Sequence, residues 1–216
     1  MLTLFRLLIG VTAILTICLP NQASAYDEAV DLTRKALKQC ELGRLASDRT
    51  TRLAHFEQGR LLGEQAVARN EQSADAHFSL FCNLGELMRI DGEASVASLF
   101  GFRRMMKELD RTLELAPDHL DALSAKGTLL VRLPSLLGGD KPKGEQILRQ
   151  VIQREPASVN ARLSLAKSYC ANGKHEEAVS LAVEALDLAE AHHRNDFLPE
   201  ARAVLSQLRA TAAKAN

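Results

Sequence analysis

The chain has 216 residues, and its 27 lysines and arginines balance 27 aspartates and glutamates. Nucleic-acid binding needs a concentrated positive field, so this near-neutrality argues against nucleic acid as a main partner. Aromatic residues make up only 4 % of the chain and tryptophan is absent, which leaves few side chains for base stacking. The length is enough for one domain with a continuous core.

The N-terminus predicts an exported protein. Met1–Arg6 carries one positive charge, Leu7–Leu19 is an apolar run of 13 residues, and Ala23-Ser24-Ala25 is a small-x-small cleavage site. A bilayer span takes roughly 20 residues, so we expect a signal peptide over 1–25, cleavage between Ala25 and Tyr26, and no stable membrane span afterwards. The mature chain would be periplasmic if the source is a Gram-negative bacterium.

Two features accompany this segment. A lipoprotein would use Cys18, but Ile17 stands before it where lipidation expects a small residue. Loss of Arg6 with the signal leaves 26 basic against 27 acidic residues, so the mature chain has a net charge of −1. The charge argument is therefore unchanged after export.

Helical apolar patterns begin soon after the cleavage site. Asp27–Leu42 has one, and Arg52–Arg69 has another. We assign 26–73 to a divergent N-terminal helical pair. A second pair is predicted with helices over Ala76–Ile90 and Ser95–Leu115, joined through Asp91-Gly92 by a turn that we expect to be long.

The next predicted pair contains helices over Leu120–Arg132 and Lys141–Arg154. A widened turn from Leu133 to Asp140 separates them, and Asp140 is expected to cap the second helix. Pro117 and Pro156, each just after a helix, are 39 residues apart. The widened turn accounts for the length beyond 34.

The clearest pattern lies in Val159–Glu190. Small and apolar residues recur one helical turn apart on two helices: Leu165, Ala166 and Tyr169 on the first, Ala178, Ala182 and Ala185 on the second. Gly173 lies between them and is expected to end the first helix in the left-handed conformation. Within 191–216, Phe197–Leu208 is predicted to form a capping helix, followed by a tail.

These residues fall at the offsets of a 34-residue helix-turn-helix repeat, and the chain resembles tetratricopeptide-repeat (TPR) proteins over nearly all of its mature length. The resemblance implies an all-α fold of antiparallel helix pairs stacked as an α-solenoid, with about nine helices and repeats at about 74–119, 120–158 and 159–190. The chain departs from the repeat at Arg162, where a large aromatic belongs, and at Met105 and Gly144, where alanine belongs.

The widened turn with Gly138-Gly139-Asp140-Lys141 also resembles a divergent subgroup. That subgroup includes the regulator-of-microtubule-dynamics proteins and the TPR-like accessory proteins of tripartite periplasmic transporters. The resemblance implies either a protein scaffold or an accessory that holds a small ligand.

No catalytic pattern emerges, so we expect no enzyme activity, no metal and no cofactor. His175-Glu176-Glu177 begins like a zinc-protease helix, but Val179 stands where the second histidine would be. The neighbouring His192 and His193 would point about 100° apart on a helix. Gly138-Gly139-Asp140-Lys141 lacks the glycine frame and the hydroxyl residue of a phosphate-binding loop.

Stacked pairs line their concave face with their first helices, and we expect a protein or peptide partner to bind there. The candidate residues, chosen as outward-facing positions of those helices, are Asp75, Phe78, Asp121, Ser124, Thr128, Asn160, Leu163 and Lys167.

The mature chain contains three cysteines, an odd number for an oxidising compartment. Cys82 and Cys170 stand among apolar neighbours, as small buried hydrophobes do. The alternative is a disulfide between Cys40 and Cys82, which would staple the divergent first pair to the next.

Two functions are consistent with the sequence. The first is a non-catalytic exported scaffold for protein interaction or assembly in the cell envelope. The second is a transport accessory that binds a small ligand, which an enclosed apolar cavity lined by Phe78, Phe81 and Leu84 would favour. The sequence leaves the partner and the oligomeric state open.

Overall fold

The computed structural model describes residues 22–91 and 96–215, with side chains for 26–90 and 100–211. This part of the chain folds into nine α-helices and one short 3₁₀ helix, in agreement with the all-α prediction. The α-helices are α1 Gln22–Leu45, α2 Arg49–Arg69, α3 Ala74–Asp91, α4 Val96–Leu115, α5 Leu120–Arg132, α6 Lys141–Arg154, α7 Val159–Ala171, α8 His175–Ala191 and α9 Leu198–Ala215.

Consecutive helices pack as hairpins, α1 with α2, α3 with α4, α5 with α6 and α7 with α8. The first helices also stack on one another, because α1 contacts α3 and α5 contacts α7. The last helix, α9, packs on α8 and touches α7, as a capping helix does. The first helices of the hairpins therefore lie side by side along one face of the stack.

Local sequence signals set several helix ends. The Asp140 carboxylate accepts a hydrogen bond from the Lys143 backbone N–H at 3.1 Å, which confirms it as the N-cap of α6. Asp48 caps α2 in the same way, accepting from the Thr51 N–H at 2.8 Å. Gly173 has φ +77° and ends α7, as predicted.

Helix bounds agree best in the middle of the chain. Both α5 and α6 have the predicted bounds, whereas α1 and α9 are longer than expected. The prediction of a long loop in the second hairpin is wrong, because its extra residues lie in helices of 18 and 20 residues.

The predicted signal peptide falls mostly on residues 1–21, outside the described part of the chain. The predicted cleavage point between Ala25 and Tyr26 lies in the first turn of α1. Of the helices that the structure describes, none combines the length and the apolarity needed to cross a membrane.

Glycines allow the closest helix approaches. A Cβ on Gly63 of α2 would lie 2.9 Å from the Cα of Leu80 on α3, so the two backbones touch there. Gly127 and Gly144 do the same for α5 and α6, since a Cβ on Gly144 would lie 2.8 Å from the Gly127 carbonyl oxygen. Gly144 thus replaces the expected alanine because this pair packs more tightly than an alanine would allow.

A matched pair of glycine substitutions tests this packing. Gly63→Ala should lower the free energy of unfolding by about 1–3 kcal/mol, because the added methyl meets backbone that cannot rotate away. Gly101→Ala on α4, where nothing lies within 4 Å, should raise it by about 0.5–1 kcal/mol through helix propensity. Chemical denaturation measures both, and equal effects would contradict the close contact.

Candidate functional site

A cavity of about 500 Å³ opens on the concave side of the stack. Its walls come from the first helices of the hairpins, from the turn before α9 and from the start of α9 itself. The lining residues are Leu37, Cys40, Glu41, Arg44, Asp75, Phe78, Phe81, Cys82, Arg89, His119, Asp121, Ala125, Asn160, Arg194, Asp196, Phe197 and Glu200. Residues from both ends of the described chain therefore meet in one site.

Aromatic rings form the floor of the cavity. The Phe78 ring lies 5.8 Å from the Phe81 ring and 4.7 Å from the His119 ring, measured between centroids. His119 Nδ1 accepts the Ala122 backbone N–H at 3.2 Å, and its Nε2 lies 3.2 Å from a carboxylate oxygen of Asp75. Nε2 therefore carries the proton, and the His119 ring is fixed edge-on to the acid with its face towards Phe78.

The rim of the cavity carries acidic groups. Asp121 is exposed in the first turn of α5 and has no ion pair among the described residues. Burial and then the negative charge of Asp121 raise the pKa of the nearby Glu155 carboxyl. Exposed Glu41 of α1 lines the same cavity. The mouth therefore favours a positively charged ligand group.

The other end of the cavity is closed by contacts between α1 and the turn before α9. Arg44 Nε lies 2.7 Å from Glu86 and Arg44 Nη1 lies 3.5 Å from Asp196, both of which are buried carboxylates. The same guanidinium lies over the Phe197 ring, 5.3 Å from its centroid. Arg44 thus joins the first and last elements of the described chain.

Glu200 adds a second closing contact. Its carboxylate lies 2.6 Å from Lys167 Nζ and 3.8 Å from Arg89. Burial acts to raise the pKa of Glu200, but Lys167 and the arginines outweigh it and hold this pKa below its usual value. A carboxyl with a lowered folded-state pKa contributes stability above its unfolded pKa and loses it as the pH falls, so this contact weakens in acid.

The structure brings half of the predicted concave residues to the cavity. Asp75, Phe78, Asp121 and Asn160 line it. Lys167 lies beside it in the Glu200 pair. The predicted role of these residues in partner binding stays a prediction.

The other three predicted residues have structural positions. The prediction that Leu163 faces outward is wrong, because it is 1 % exposed in the core between α7, α8 and α9. Ser124 is also buried, and its Oγ accepts a hydrogen bond from Asn160 at 2.9 Å. Thr128 Oγ1 lies 2.7 Å from Ser164 Oγ. These polar contacts join α5 to α7 between repeats.

Sequence reasoning missed the closing residues. Arg44, Asp196, Phe197 and Glu200 come from segments read as a divergent pair and a cap, and no local pattern indicates that they meet. Of the three apolar residues named for an enclosed cavity, Phe78 and Phe81 line it, and Leu84 is buried in the core instead.

The structure does not form the disulfide that the sequence left open. Cys40 and Cys82 are free thiols that are hydrogen-bonded to each other, and Cys170 is also free. The hydrogen bond to Cys82 and then burial raise the pKa of the Cys40 thiol well above its usual value. Cys40 packs with Phe56 and Leu87 as a small buried hydrophobe.

Within the described residues, no three histidine, cysteine, aspartate or glutamate side chains gather closely enough to hold a metal ion.

Comparison with solved structures finds several TPR proteins that match along most of the chain. TTC0263, a thermophilic TPR protein of Thermus thermophilus, is 17 % identical with a TM-score of 0.52, and the match covers 89 % of this chain and 100 % of that one. MamA of Desulfovibrio magneticus RS-1 is 14 % identical with a TM-score of 0.48, over 90 % and 98 % of the two chains. YrrB, a TPR protein with an unusual peptide-binding site, is 14 % identical with a TM-score of 0.36, over 82 % and 97 %.

The likeness to TTC0263 confirms the predicted fold, a TPR-like solenoid of stacked helix pairs. No protein-family model matches the sequence, and no curated protein is significantly similar to it.

Proposed function

We propose that the protein is a non-catalytic, exported TPR-like scaffold that binds a segment of a protein partner in its concave cavity. The observation that carries this proposal is the cavity itself, with an aromatic floor at Phe78 and Phe81 and an acidic mouth at Asp121. TPR-like folds of this kind suggest protein–protein interaction, and the concave face is where such stacks offer an extended surface.

The chemistry of the walls indicates the kind of segment that fits. The arginines that line the cavity are all paired with buried or half-buried carboxylates, whereas Asp121 is not. A partner segment that places an apolar side chain on Phe78 and a lysine or arginine at Asp121 would satisfy both. An acidic segment would meet only like charge at the mouth.

Export stays a proposal that rests on the N-terminal sequence pattern. An apolar run of 13 residues followed by Ala23-Ser24-Ala25 is typical of a cleaved signal peptide. N-terminal sequencing of the protein from a fractionated cell tests it, and a mature chain that begins at Tyr26 in the envelope fraction is the expected result. Recovery in the cytosol with Met1 intact would contradict export.

The second candidate is a transport accessory that shelters a small ligand. A volume of about 500 Å³ lies within the range of small-ligand sites, and the contacts of Arg44 close one end of the cavity. The charged groups around the cavity favour the protein segment as the first choice.

Affinity capture from the source envelope distinguishes the two functions. Wild-type protein should retain a protein partner, and Asp121→Lys should retain at least about tenfold less of it, because a favourable charge becomes a repulsive one at the mouth. Mass spectrometry should be run on captured proteins and on small molecules alike.

Glu177→Lys is the matched control for this capture. Glu177 is also an exposed acid in the first turn of its helix, so both variants lose about the same helix-dipole stabilisation. It lies outside the cavity and should capture the partner normally. Recovery of a small molecule alone, or equal loss in both variants, would count against the scaffold.

A further inference from the structure

Two leucines project into solvent from the widened turn between α5 and α6. Leu136 is 99 % exposed and Leu137 is 60 % exposed, and both lie in the 3₁₀ helix Ser135–Leu137. Neither contributes to any core cluster, so packing within the described chain does not account for them. Exposed apolar side chains side by side on a protrusion are typical of a contact surface.

The turn that carries these leucines is well ordered by its own hydrogen bonds. The Leu137 and Gly139 N–H groups donate to the Pro134 carbonyl at 2.8 and 3.1 Å, and the Asp140 N–H donates to the Leu130 carbonyl at 3.0 Å. A Cβ on Gly139 would lie 1.8 Å from the Leu133 carbonyl oxygen, so the turn closes against its own backbone. The leucines are therefore held outward rather than exposed by a loose loop.

Positive charge surrounds the leucine tip. Arg132 ends α5 and Lys143 lies in the first turn of α6, and neither has an ion-pair partner among the described side chains. The one acid of the turn, Asp140, is engaged as the N-cap. Lys141 donates to Asn172 at 3.1 Å, which brings the α7–α8 turn and its Lys174 alongside.

We propose that this edge of the stack docks on the surface of an anionic phospholipid bilayer. Leu136 and Leu137 would enter the interfacial region, while Arg132, Lys141 and Lys143 would face lipid phosphates. Apolar insertion combined with attraction between cations and anionic lipid is how peripheral proteins hold a membrane surface. The tip projects from the stack, so it fits a deformable apolar layer with a negative surface.

The absence of tryptophan from the chain makes a direct test simple. Leu136→Trp introduces a single tryptophan at the tip, and its emission is recorded with vesicles of phosphatidylethanolamine and phosphatidylglycerol. We expect a blue shift and quenching by brominated lipid with these vesicles, reduced by added salt because screening weakens surface attraction. Vesicles of phosphatidylcholine alone should give little change.

Leu61→Trp on α2 is the matched reporter, because Leu61 is a half-exposed leucine in the middle of a helix. It should show no shift, and it also reports any binding of the full chain through another segment. An unshifted tryptophan at 136, or equal shifts at 136 and 61, would overturn the proposal. A shift at 136 with lipid-free envelope protein but not with vesicles would overturn it in favour of a protein partner.

A charge test completes the design. Arg132→Gln combined with Lys143→Gln should weaken the vesicle affinity of the Leu136→Trp reporter by about thirtyfold, at the usual contribution of each cation to binding anionic lipid. Arg103→Gln combined with Lys107→Gln removes the same two residue types from an exposed face of α4 and should leave the affinity within about twofold. Equal losses in the two pairs would contradict docking through the leucine edge.

Discussion

Glu108→Ala is expected to lower the free energy of unfolding by about 3–5 kcal/mol, because it removes the counter-charge of a buried histidine. His77 Nδ1 lies 2.6 Å from Glu108, and His77 Nε2 lies 3.0 Å from the Glu71 carbonyl oxygen. Both ring nitrogens face acceptors, so the imidazolium form fits this site. The pair joins α3 to α4, and its loss should lower the melting temperature by roughly 10 °C.

The matched control lies on the same helix. Glu114 pairs with Arg111 at 3.1 Å and its side chain is 64 % exposed. Glu114→Ala should therefore cost about 0–1 kcal/mol. Glu108→Gln keeps a hydrogen-bond acceptor and should fall between the two. Thermal unfolding that gives the same loss for Glu108→Ala and Glu114→Ala would contradict a buried ion pair.

Arg44→Met should have the next largest effect, with a loss of about 3 kcal/mol, because two buried carboxylates lose a cation. Glu86 would keep only Arg89, and Asp196 would keep only Arg194, among the described side chains. The contact between α1 and the turn before α9 should also open, so backbone amides around Phe197 should exchange hydrogen for deuterium faster. Hydrogen exchange with mass spectrometry measures this opening beside thermal unfolding.

Arg34→Met is the control for this effect on the same helix. Arg34 pairs with Asp31 but its side chain is 74 % exposed, so its loss should cost about 0–1 kcal/mol and leave the exchange of α9 unchanged. Faster exchange near Phe197 in both variants, or in neither, would show that Arg44 does not hold the two ends together.

Local signals made much of the fold predictable. The bounds of α5 and α6, the cap at Asp140 and the left-handed Gly173 depend on a few neighbouring residues each. Such features can be read from one sequence because their physical causes are local. The same holds for the helical type of α1 and α9, although not for their full length.

Features that depend on how helices pack were not predictable. Leu163 was assigned to the wrong face because α7 is covered by α5, α6, α8 and α9, so its residues are small or apolar all round. Arg162 replaces the expected aromatic, and its guanidinium reaches Glu184 at 3.2 Å from a buried stem. No periodicity indicates either arrangement.

The candidate site shows the same division. The pattern of first helices located Asp75, Phe78, Asp121 and Asn160 on the cavity wall. The closure by Arg44 and Asp196 depends on the curvature of the whole stack, which is a sum of many small packing distances. A sequence-based reading therefore finds the wall of the cavity but not its closed end.

Site-specific photo-crosslinking in the source cell tests most directly whether the concave cavity is the partner site. A photoreactive benzoylphenylalanine is placed at Glu41, at the cavity mouth, or at Gln153, an exposed position in a separate groove formed by α6, α7 and α8. The account predicts a protein adduct from position 41 and none from position 153. An adduct from 153 alone, or from neither position, would contradict it.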